Sequence, residues 1–177
     1  TLAHDEKAKP AVSEMNAKIN QININIARRS KVIRVFGKPI KYVWGEKKLD
    51  ANNLPDRYVM VYPNDFHVYF SKESIVEFRF EGPSDYVFGD GLTVGSTLEK
   101  AFKVLGEPAE IVEGKKNEFN DNVFYKDIEG RKGYGYYAVP QKNVRIWILN
   151  DKVRSIYVTR NDYSASTGEY VPGDKID

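Results

Sequence analysis

Val94-Gly95-Ser96-Thr97-Leu98-Glu99-Lys100-Ala101-Phe102-Lys103-Val104-Leu105-Gly106-Glu107-Pro108 reads as one amphipathic helix with both ends marked. Ser96 and Glu99 have the spacing of a capping box, in which each side chain satisfies a backbone N–H that the first turn leaves without a partner. Leu98, Ala101, Phe102 and Leu105 recur at helical spacing and form one apolar stripe. Gly106 can enter the left-handed region that closes a helix, and Pro108 cannot continue one. The stretch predicts a short helix that lays one face on something else and stops before the strand-like residues 109–113.

The same grammar occurs once earlier. Val35-Phe36-Gly37-Lys38-Pro39 matches Val104-Leu105-Gly106-Glu107-Pro108 at an offset of 69 residues, which also carries Gly45 onto Gly114. Further along the offset is 78: Phe66, Val68, Phe70, Ile75, Phe78 and Phe80 fall on Val144, Ile146, Ile148, Val153, Ile156 and Val158. Two units follow, residues 25–81 and 92–160, the second carrying nine extra residues. In the first, Arg29 stands where Leu98 stands in the second; its stem can fold onto apolar surface, while Val32, Ile33 and Phe36 keep the stripe. Residues 1–24 form a leading segment in which Val12, Met15 and Ile19 predict a short helix within 10–22. Residues 82–91 are a turn-rich connector, and the Ser, Gly, Asp and Tyr-rich 161–177 a loosely ordered tail.

After each helix come alternating β-branched and aromatic runs. They lie at 40–44, 58–62, 66–70 and 75–80 in the first unit; in the second they lie at 109–113, 122–127 with 134–139, 144–149 and 153–160. The links 63–65, 71–74, 140–143 and 150–151 are short turns, so neighbouring strands pair antiparallel. The expected class is α+β: two tandem repeats, each a helix packed on a four-stranded antiparallel sheet.

A tandem of helix, Gly-x-Pro stop and antiparallel strands resembles the β-lactamase-inhibitor-protein-like fold, and is similar to small outer-membrane-assembly lipoproteins. The residues that carry the resemblance are 94–108, the weaker copy 35–39 and the paired terminal strands, and the two units cover most of the chain. The resemblance implies an extracytoplasmic, non-enzymatic protein that binds a protein partner through the open face of its sheet. The chain has no cysteine, and so lacks both the disulfides common among the inhibitors and the lipid-bearing cysteine of the lipoproteins.

Strand alternation assigns the two faces. Phe66, Val68 and Phe70, with Val144, Ile146 and Ile148, should meet the helices. His67, Tyr69, Glu77 and Arg79, with Arg145, Trp147, Ser155 and Tyr157, should line the open face. Tyr, Trp and Arg are enriched at interface hot spots, so Tyr69, Trp147 and Tyr157 are candidate partner-binding anchors, with Arg79 and Arg145 to pair with partner carboxylates. Tyr134 and Tyr136 share a face and join this partner-binding set. The alternative is a face whose cross-strand aromatic pairs only stabilise the sheet.

Composition narrows the remaining classes. The 177 residues are 41% hydrophobic, and 27 Lys and Arg against 25 Asp and Glu leave a charge of +2, too little for general attraction to nucleic acid. No apolar run spans a bilayer, and residues 1–10 hold no apolar signal core. Lys132-Gly133-Tyr134-Gly135-Tyr136 matches the first half of an RNA-recognition signature, but Tyr137 and Val139 break the second half. With no cysteine and two histidines, His4 and His67, neither a metal site nor a nucleophile triad has its parts, and no cofactor is expected. The alternative to a binding protein is a carboxylate-dependent hydrolase acting on a carbohydrate, using two of Glu118, Asp121, Asp127 and Glu129. A single-stranded nucleic-acid binder is third. Neither the partner nor an oligomeric state has a signature in the sequence.

Overall fold

The computed structural model describes residues 12–114, 130–137 and 142–161. The described elements, in chain order, are α1 (Glu14–Ile19), α2 (Arg29–Phe36), β1 (Lys41–Trp44), β2 (Lys47–Leu49), β3 (Arg57–Tyr62), β4 (Phe66–Ser71), β5 (Ser74–Phe80), α3 (Leu98–Leu105), β6 (Glu110–Glu113), β7 (Lys132–Tyr136), β8 (Asn143–Leu149) and β9 (Lys152–Thr159). The class is α+β. The strands make one antiparallel sheet of nine, in the order β2-β1-β3-β4-β5-β9-β8-β7-β6. The expected strand at 122–127 lies outside the described residues. β2 was not expected. It arises because Gly45, at φ 60°, supplies the first turn position of a two-residue hairpin between Trp44 and Lys47.

Side chains from all three helices enter one core. Ile19, Val32 and Ala101 cluster with Phe66, Val68, Phe70, Phe78 and Phe80 and with Val144, Ile146, Ile156 and Val158, so the helices cover a single face of the sheet. Each such ring or branched chain removed from water stabilises the fold by about 1.5–3 kcal/mol. The connector is fastened to this core by Tyr86, whose ring stacks on Phe80 at 3.8 Å. α1 is held to the connector by Asn16, whose side chain both donates to the Val87 carbonyl and accepts from its N–H.

The cap of α3 differs from the expected box. Thr97 is the N-cap, its hydroxyl accepting from the Lys100 N–H at 3.1 Å, while Ser96 turns back to accept from the Thr93 N–H. The boundary moves by one residue because the neighbouring hydroxyl offers the helix an equivalent acceptor, and Ser96 serves the turn before it. The C-terminal end follows the sequence: Gly106 at φ 79° donates to the Phe102 carbonyl, as Gly37 at φ 82° donates to Ile33. The Arg29 guanidinium does fold back, lying 5.9 Å from the centre of the Tyr58 ring.

Several contacts occur twice. Tyr62 donates its hydroxyl to the Gly37 carbonyl at 2.7 Å, and Tyr136 to the Gly106 carbonyl at 3.0 Å, so each helix end is clasped by a sheet tyrosine. Arg29 N–H donates to the Glu73 carbonyl and Leu98 N–H to that of Asp151. The ladder of β4 and β5 shifts register between Tyr69 and Phe70, that of β8 and β9 between Trp147 and Ile148.

Candidate functional site

One row of residues crosses eight strands on the face away from the helices. Register places Lys41, Val61, His67, Arg79, Tyr157, Arg145, Gly135 and Glu110 side by side from β1 to β6. Alternation alone produces this, because all eight share the parity that points away from the helix-side core. The row places two arginines, Arg79 and Arg145, next to aromatic rings and carboxylates.

The expected openness of this face is corrected by the structure. Tyr69, Arg79, Arg145, Trp147 and Tyr157 are all buried, Trp147 being the most exposed of them at 5%. They are engaged with one another and with acids on the same face. The Arg79 guanidinium lies between the Tyr69 ring at 4.9 Å and the Tyr157 ring at 5.1 Å, and its Nε donates to Glu77. Glu77 also accepts from the Thr159 hydroxyl at 2.7 Å. Tyr157 donates to Glu81, which is paired at 3.6 Å with buried Arg131. Burial raises the Glu81 carboxyl above its ordinary range, against the opposing pull of the Tyr157 hydroxyl and of Arg131, Arg79 and Arg154. Glu81, Arg131 and Glu110 were not singled out in the sequence, since their partners lie 24 or more residues away in the chain.

Tyr134 and Tyr136 are corrected more fully. They share a face, but it is the helix face: Tyr134 meets the Phe102 ring edge-on at 5.5 Å, and Tyr136 clasps the end of α3. They do not join the other five, and their rings are not on a surface where bases could stack. What the alternation leaves on the opposite side is Gly133 and Gly135. A Cβ on Gly133 would stand 2.6 Å from Arg145 Nη1 and 2.8 Å from the Trp147 ring, and one on Gly135 2.9 Å from Arg145 Nη2. The glycines are therefore a bed on which the Arg145 guanidinium lies, with Nη2 donating to Glu110 at 2.7 Å. Gly133→Ala is expected to cost about 2 kcal/mol, because neither a wholly buried arginine nor an indole ring can yield without loss. Chemical denaturation of the two proteins side by side measures it, and an unchanged midpoint would contradict the tight bed.

His67 sits in the same row between Lys41 on one side and Arg79 on the other. Burial, then the charges of Arg79 and Lys41, lower its pKa from 6.5 to about 2. A depressed pKa means that the stability it permits is whole above pH 6.5 and is lost as pH falls toward 2. Glu81 works the other way, since its raised pKa makes its burial less costly as pH falls. Replacement by a group that does not titrate isolates the histidine: wild type should lose about 2–3 kcal/mol more than His67→Gln between pH 7 and pH 4.5, read from urea midpoints.

At the end of the row, β6 is the edge of the described sheet. Gly114 N–H donates to the Arg131 carbonyl, so by the antiparallel alternation the backbone groups of Ile111 and Glu113 turn outward, and no described strand pairs with them. Ile111 is 57% exposed, with Phe102 at 38% on the helix side and Tyr137 at 39%, its hydroxyl bonded to Glu110. This is the described place where exposed apolar groups and unpaired backbone groups coincide.

The carboxylates Glu118, Asp121, Asp127 and Glu129 lie outside the described residues. Among the described residues there is no group of three or more His, Cys, Asp and Glu side chains that could hold a metal ion, and no helix is long and apolar enough to cross a membrane.

No family model matches the sequence, and no curated protein does. Among solved structures, the chain is similar to an extracellular protein containing an SCP domain from Bacillus anthracis, with TM-score 0.51 and 9% identity over 91% of this chain. It spans 50% of that protein's length, and at that identity the likeness concerns the fold alone. A "putative beta-lactamase inhibitor protein" from Streptococcus mutans is also similar, at TM-score 0.32 and 13% identity, over 84% of this chain and 96% of that one.

Proposed function

We propose that this chain is a non-enzymatic binding module acting outside the cytoplasm, and that it holds a protein partner as an extended segment added to the edge of its sheet at β6. The observation that carries this is the backbone of Ile111 and Glu113, which no described strand pairs, flanked by exposed Phe102 and Tyr137. An added strand needs such outward N–H and C=O groups for affinity and apolar rests for specificity. The Arg145 band has a part in this reading: through Glu110, the buried guanidinium and its glycine bed hold β6 in place before the partner arrives, which lowers the entropic cost of binding. Tyr69, Arg79, Trp147 and Tyr157 are then positioning residues of a rigid second face, not anchors that touch the partner.

We further read the molecule as two similar units about a pseudo-twofold axis. The β5–β9 ladder supports this, since it pairs Phe78 with Val158 and Phe80 with Ile156, the offset of 78 exchanging each pair for the other, with Arg79 and Tyr157 at the centre. The doubled helix clasps and ladder shifts support it too.

The binding reading is tested by capture from extracellular fractions with wild type beside Ile111→Lys and Phe102→Ser, each shown to be folded by circular dichroism. A partner held by wild type and lost by both variants is expected. Retention of the same proteins by all three would overturn the assignment to β6.

A further inference from the structure

We propose that the strand received at β6 is β2 of a second copy of this chain, so that copies associate head to tail through opposite edges of their sheets; this rests on the reading of β6 as a receiving edge. β2 and β6 are the two ends of the described sheet, and they carry opposite charge. β2 presents exposed Lys47 and Lys48; β6 presents exposed Glu113, with half-buried Glu110 engaged by Arg145. Like charges directly opposite on neighbouring strands are destabilising, and opposite ones favourable. β2 against β2 sets Lys48 opposite Lys48, which repels, while β6 against β2 can set Glu113 opposite Lys48, which attracts. Lysines on an edge strand also discourage indiscriminate pairing, which leaves an acidic edge as the suitable one.

The backbone fixes a register. In β2 the hairpin closes with the Trp44–Lys47 pair, so alternation turns the N–H and C=O of Lys48 outward. In β6 the outward groups are those of Ile111 and Glu113. An antiparallel pairing that joins outward groups to outward groups can set Glu113 directly opposite Lys48 of the next copy, with Val112 beside Leu49. The contact is heterologous, each copy keeping one edge free, so association should grow with concentration instead of stopping at a dimer.

The test is sedimentation equilibrium of the full chain over a concentration series, at low and at high salt, with amide hydrogen exchange of Ile111 and Glu113 read at both ends of the series. The expected result is an average mass rising above the monomer's 20.3 kDa at low salt, falling back with salt, with the Glu113 amide protected only when associated. Glu113→Lys should abolish the rise, and the double charge exchange Glu113→Lys/Lys48→Glu should restore it. A monomer at every concentration overturns the second copy as occupant, and leaves strand addition at β6 to be judged by the capture experiment. Association that persists in Glu113→Lys, or that leaves the Glu113 amide unprotected, overturns the β6–β2 geometry.

Discussion

Trp147→Ala is expected to destabilise the fold by about 3–5 kcal/mol, the range for truncating a buried aromatic, and to lower the thermal midpoint by about 10 °C in a chain of this size. The reason is geometric. Trp147 is 5% exposed, meets Tyr157 edge-on at 6.3 Å, and carries the Arg145 guanidinium 5.4 Å from its ring. Removing the indole leaves a void between the glycines of β7 and Ser155 of β9, and withdraws the surface against which Arg145 is held. Trp147→Phe keeps most of the ring and should lose far less. Its indole N–H has no acceptor among the described residues, so that group's removal also relieves a buried donor. A Trp147→Ala variant as stable as wild type would return the residue to the class of exposed anchors that the alternation pattern first suggested. Differential scanning calorimetry of the three proteins decides between the two.

That contrast shows what was legible in the sequence. Period-two alternation reports which residues share a face, and the division of Phe66, Val68 and Phe70 from His67 and Tyr69 is visible in it because both sets are strictly alternate. Whether a face is wet is another matter. A row of Arg, Tyr and Glu spells the same whether it meets water or its own neighbours, since the pairs that bury it, Glu81 with Arg131 and Glu110 with Arg145, are joined only by the sheet. The glycines of β7 show the same limit. Gly133 and Gly135 invite a binding motif when read along the chain, whereas across the sheet they make room for one guanidinium. Helix ends were more readable because caps are local: Gly37 and Gly106 act through carbonyls four residues earlier. The one-residue error at Thr97 is the size expected when two adjacent hydroxyls compete for one cap. β6 was legible as a strand, but its standing as an edge depends on which strand the chain places last.

The buried ion pairs make a second large effect expected, at Glu81. Glu81→Ala should lose about 3 kcal/mol, because it takes the carboxylate from beside Arg131, which has no exposed surface, and the acceptor from the Tyr157 hydroxyl. The loss reports the cost of stranding a buried charge more than any net worth of the pair, for two charges taken out of water can cost as much in desolvation as they regain by attraction. That argument has its own consequence. The double variant Glu81→Leu/Arg131→Met, which replaces both charges by apolar groups of similar bulk, should be more stable than Glu81→Ala alone, although it carries one more substitution. A double variant less stable than the single one would mean that the pair itself is a net source of stability. It would also mean that the charged row fastens the sheet about its β5–β9 junction, and is more than a compensated cost of placing arginines beside tyrosines. Urea denaturation at pH 7, with the slope checked for a common unfolded state, separates these results.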